Sequence, residues 1–199
     1  MADDKQGRDK QARDEERRQR ERELEATLER GDEPEPPIEA EELTDLEAEL
    51  ESVSFPAPAT EVVATIGDRE IEVPDGRVAV AELVADADAE TFDSSAAVRK
   101  RVQRPTVAAA MKRVAEAADT LRNVELGGSQ RDAYEKTFEE LKAIDADDDD
   151  EGIRAIADWI VDRVREKEAL PGSRAVRRQA AEFCRANGYE VRNDEWLGV

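Results

Sequence analysis

The chain has 199 residues, with 51 acidic and 30 basic side chains, a net charge of −21 and no histidine. That length suits one domain or two small ones. The missing histidine excludes imidazole triads and imidazole-bound zinc, and the single cysteine, Cys184, excludes a disulfide framework and multi-cysteine metal sites.

Residues 1–30 alternate charges of both signs, with Leu24 and Leu28 the only large apolar side chains after Met1. Such a segment buries too little surface to offset its ordering entropy, so a disordered or solvated helical arm is expected. Pro34, Pro36 and Pro37 make residues 31–42 a linker. Leu43, Leu46, Leu50 and Val53 form one stripe of a short amphipathic helix. A short helix at 59–66, a strand at 69–73, a turn at Pro74-Asp75-Gly76 and a helix at about 78–85 follow. Thr91-Phe92-Asp93-Ser94 offers caps for a helix from Ser95.

Pro105 breaks that helix and opens the next, at 105–123, where Val107, Met111, Val114, Ala118 and Leu121 give the strongest apolar period in the chain. Gly127-Gly128 ends it, and Ser129 with Asp132 resembles a capping box for a helix at 130–144. Asp145–Asp150 reads as an acidic linker. A helix at 152–168, a turn at 169–173 with Ser173 as N-cap, and a helix at 174–187 stopped by Gly188 complete the pattern. Tyr189-Glu190-Val191 reads as a short strand.

Several stretches resemble a group of haloarchaeal proteins built on a small domain of unknown function. They are the MADDKQGRDKQA opening, Phe55-Pro56, Gly67-Asp68, Pro74-Asp75-Gly76, and Thr91-Phe92-Asp93-Ser94 leading into Val98-Arg99. The resemblance covers residues 1–36 and 54–102. Its motifs are turn and cap residues, so it implies no activity, cofactor or catalytic residue. It agrees with the charge, since 7 Lys against 23 Arg on a carboxylate-rich chain fits a salt-rich cytosol, where self-repulsion is screened within a few ångströms. No window approaches about 18 consecutive apolar residues, and the opening lacks the apolar core of a secretory signal. A cytoplasmic location without membrane contact is the expectation.

The last helix carries the best candidate site. At 100° per residue Arg174, Arg178 and Arg185 fall within about 40° of one another, with Arg177 roughly 60° to one side. Val176, Ala180, Phe183, Cys184 and Asn187 lie opposite. A helix–turn–helix-like pair would then present arginines outward to the phosphates or bases of DNA or RNA. The competing reading pairs these arginines with Glu166, Glu168, Glu182 and Glu190 in an ordinary helical hairpin. Residues 99–113 hold six basic and no acidic side chains, so Arg99, Lys100, Arg101 and Arg104 make a second, weaker strip. Its competing reading is internal docking of the acidic segment 31–54.

Trp159 lies about 120° from the apolar stripe of its helix. It either packs under Trp196-Leu197 or forms a surface for another cytosolic protein. Cys184 sits on an apolar face and reads as a small buried hydrophobe. An EF-hand loop counted from Asp145 needs Gly and Glu where Asp150 and Ile156 stand, and Gly127-Gly128 lacks the Lys-Ser/Thr of a phosphate loop, so no metal or cofactor is expected. The expected architecture is mainly α. A charged arm and linker (1–40) precede a small α+β domain (41–126) and a helical C-terminal unit (127–199). The expected function is non-enzymatic binding to nucleic acid through the C-terminal helix. The alternative is a protein–protein adaptor using the arm and the Trp159 surface.

Overall fold

The computed structural model describes residue 38 and residues 43–73, 76–122, 124–144 and 150–189. The expected N-terminal arm, most of the linker, Asp145–Asp149, the rest of the Tyr189-Glu190-Val191 strand beyond Tyr189, and Trp196-Leu197 lie outside these residues. Among the described residues there are eight helices and four short strands, so the chain is mainly α with a small β component.

Helix α1 (Thr44–Leu50) turns Leu43, Leu46 and Leu50 inward, as their spacing predicts. Strand β1 (Ala57–Pro58) leads into α2 (Ala59–Ile66). Strands β2 (Glu70–Val73) and β3 (Gly76–Ala79) form an antiparallel hairpin with Ile71 opposite Val78. The helix expected at 78–85 is thus a strand followed by a single helical turn, α3 (Val80–Leu83). Gly76 has φ of 136°, a conformation that side-chain-bearing residues rarely adopt, and it lets the chain reverse so that pairing with β2 overrides local helix preference. Strand β4 (Thr91–Phe92) pairs antiparallel with β1. Leu126 N–H donates to Ala89 O at 2.8 Å and Ala59 N–H donates to Glu90 O at 2.8 Å, so segment 89–92 is held from both sides.

Ser94 caps α4 (Ser95–Val102), its hydroxyl accepting from Ala97 N–H at 3.3 Å. Helix α5 (Pro105–Asp119) starts at its proline and ends four residues before the expected boundary. Helix α6 (Gly128–Lys142) begins after Gly127. Ser129 therefore lies inside the first turn, and the anticipated capping box does not form. Helices α7 (Glu151–Lys167) and α8 (Ser173–Asn187) complete the chain. Gly172, with extended dihedrals, occupies the N-cap of α8 where Ser173 was expected. Gly188, at φ 74°, closes it in the left-handed conformation.

Two apolar clusters share the unit. One gathers α1 to α4 around Leu46, Val62, Leu83, Phe92 and Val98. The other gathers α5 to α8 around Met111, Tyr134, Phe138, Ile156, Ile160 and Val176. Helix α5 walls both, giving Ala108 to the first and Val107, Met111 and Val114 to the second.

A buried ion network joins α6 to the first cluster. The Arg101 guanidinium has no solvent exposure and meets Glu90 at 2.6 Å and Glu135 at 2.7 Å. Burial alone would lower the Arg101 pKa, but the two carboxylates more than offset it and hold it above its ordinary value. Arg131, one turn before Glu135, donates to Thr91 O at 2.7 Å. Both guanidiniums lie against the Phe92 ring, Arg101 at 5.6 Å and Arg131 at 5.4 Å from its centroid. Replacing Arg101 with Ala would leave two carboxylates buried together, so Arg101→Ala is expected to cost about 3–5 kcal/mol. Arg69→Ala, which breaks pairs whose partners Asp45 and Glu49 are well exposed, should cost no more than about 1 kcal/mol. Denaturant unfolding of both variants checks the contrast, and equal losses would contradict it.

Candidate nucleic-acid interface

Helix α8 buries Val176, Ala180, Ala181 and Cys184. Taking Arg174 as zero, these span an arc from about 200° to about 340°, wider than the sequence stripe implied because Ala181 belongs to it. Arg174, Arg178 and Arg185 fall outside the arc and are exposed. They form a line of about 16 Å along the helix. Arg177 sits near 300°, inside the buried arc, and is half-buried. Phe183, opposite the arginines, is also half-buried, its ring tilted 45° against that of Tyr189 at a centroid distance of 6.0 Å.

Among the described residues no carboxylate lies within pairing distance of Arg174, Arg178 or Arg185, and that includes Glu166, Glu168 and Glu182. Glu166 instead faces Arg163 at 3.9 Å. Glu190 lies outside the described residues.

The strip at 99–104 is different. Arg99 meets Glu47 at 3.0 Å, Lys100 meets Glu135 at 3.6 Å and Arg104 meets Glu139 at 3.7 Å. Arg101 is a core residue and cannot face a phosphate. Among the described residues, Arg99 meets a carboxylate of segment 31–54, while Lys100 and Arg104 meet carboxylates of α6. The signal for this network was present in the sequence, because Val98, Arg101 and Val102 share one face of α4 and all three are buried.

Trp159 is half-buried against the second cluster, with the Arg163 guanidinium 5.5 Å from its ring. Cys184 is fully buried, as its place on the apolar face predicts. No group of three or more metal-ligating side chains occurs among the described residues.

What positions α8 is its junction with α7. Helix α6 packs against both α7 and α8. Its Tyr134 hydroxyl donates to Pro171 O, and Gln130 Nε2 donates to the same carbonyl at 2.9 Å. The α7–α8 turn is thereby pinned to α6 one residue before α8's N-cap. Burial pushes the Tyr134 pKa up to about 12, a rise that the bond from Gln130 only partly opposes. A raised pKa means the fold favours neutral tyrosine, so this contribution is complete below about pH 10 and is lost as pH climbs toward 12. The chain has two tyrosines. Ultraviolet titration of phenolate should therefore give a late step near pH 12 that Tyr134→Phe removes. A wild-type curve with both tyrosines complete by about pH 11 would contradict the assignment.

No curated protein and no solved structure matches this chain. The family match that exists spans the Phe55-Pro56 to Val98-Arg99 motifs, while residues 1–36 lie outside it. Residues 37–114 match a family of unknown function, DUF5789, and this part of the chain is a domain of that type.

Proposed function

We propose that the protein is a non-enzymatic nucleic-acid-binding or regulatory factor, acting through the exposed arginine line of α8 in the cytoplasm of a salt-adapted, haloarchaeal-type cell. The observation carrying this reading is that Arg174, Arg178 and Arg185 have no described carboxylate partner. The four cations at 99–104 are all matched internally. A helix with three guanidiniums in line and no carboxylate partner among the described residues supplies the fork-shaped donors that phosphates and base edges accept. The salt-adapted setting rests on the excess of acidic residues and the preference for Arg over Lys. Absence of histidine and burial of the single cysteine support a binding role over a catalytic one.

In concentrated salt, counterion release contributes little, so affinity must come from close guanidinium contacts and water release. The full chain is titrated against labelled duplex DNA, single-stranded DNA and RNA, in KCl from about 0.1 to about 2 M. Binding to at least one is expected. Changing Arg174, Arg178 and Arg185 together to Gln should weaken it by more than about tenfold and flatten the salt slope by roughly 2 to 3. No binding to any of the three overturns the function. Unchanged binding by the triple variant overturns the residue assignment.

A further inference from the structure

Helices α5 and α7 pack closely but leave a cleft of about 230 Å³ between their N-terminal halves. Its floor is apolar, made by Ala109 and Ala110 from α5 and by Ile153 and Ala157 from α7. Two arginines line it, Arg113 from α5 and Arg154 from α7. Arg113 is paired with Asp158, but both side chains are about half exposed, and such pairs exchange partners at little cost. Arg154 has no carboxylate partner among the described residues. Asp150 also lines the cleft, and Lys142 holds its carboxylate at 2.7 Å, which offsets its charge.

We propose that this cleft binds a small organic carboxylate, with the apolar body on the alanine and isoleucine floor and the carboxylate held by Arg113 and Arg154. Size sets the class. An apolar cavity of about 150 Å³ accepts benzene, so this cleft admits a ring or a short aliphatic chain and little more. Charge sets the head group. A carboxylate matches the planar guanidinium fork and leaves its tail on the floor. A hydrated phosphate dianion has no apolar tail and would instead lie over four apolar side chains. The arginines of α8 take no part in lining the cleft, so this inference stands apart from the nucleic-acid reading.

The full chain is titrated with hexanoate and benzoate while its amide NMR spectrum is followed, with hexanamide and inorganic phosphate as comparisons. Saturable shifts centred on residues 106–113 and 150–157 are expected for the two carboxylates. Arg154→Gln should weaken hexanoate about tenfold. Ala109→Leu, at an exposed helical position, should fill the cleft and remove binding while leaving the melting temperature unchanged. The proposal is overturned if the carboxylates produce no saturable shifts, or if the shifts fall elsewhere. It is equally overturned if hexanamide or phosphate binds as tightly as hexanoate, or if Arg154→Gln binds like the wild type.

Discussion

A guanidinium shut away from water must find anions, and for Arg101 those anions come from two distant parts of the chain. Glu90 precedes β4 and Glu135 lies on α6, and both reach the same buried cation. Helix α6 is thereby fixed against the segment 89–92, with Arg131 and Glu135 on one stripe. About 100° around the same helix, Gln130 and Tyr134 make a second stripe that holds Pro171 O. One helix thus transmits position from the Arg101 network to the turn that starts α8. The aim of the α8 arginines depends on an ion network in which none of them takes part.

The same network bears on the domain match. Residues 37–114 include Glu90, Phe92 and Arg101 but stop inside α5. The second carboxylate, Glu135, and the second cation over Phe92, Arg131, both lie beyond that point. The matched segment alone would leave Arg101 with one buried carboxylate and Phe92 with one of its two cations. It would also cut α5 while that helix serves both apolar clusters. In this chain, α6 completes the domain's most costly buried charge, which makes the following helices part of its stability and not a tethered addition.

Legibility in the sequence follows whether a feature is set locally or by partners. The Val107, Met111, Val114, Ala118 stripe of α5, the Ser94 cap and the Gly188 stop depend on neighbours within one or two turns, and all were readable. Strand β3 was not, because Arg77-Val78-Ala79 is compatible with helix and only register with β2 decides against it. The serine caps at 129 and 173 were misread because the glycines just before each helix accept the extended N-cap conformation without a side-chain bond. Arg177 falls inside the buried arc because Ala181 widens that arc beyond the sequence stripe. The basic run at 99–104 was visible as charge, but its partners Glu90, Glu135 and Glu139 could not be assigned from spacing along the chain.

Local charge is therefore a poor guide to a binding face in a chain this acidic. The segment 99–113 is the most basic stretch, yet Arg99, Lys100, Arg101, Arg104, Lys112 and Arg113 each meet a carboxylate on a neighbouring turn or element. The α8 line is shorter and its surroundings are nearly neutral, yet its three cations are unmatched among the described residues. At 1 M salt the screening length is about 3 Å, so the distant carboxylates responsible for the net charge of −21 would scarcely affect an anion placed against α8. What persists at that range is the directional bond from guanidinium to oxygen, and it is available only where no internal carboxylate has already taken the donors.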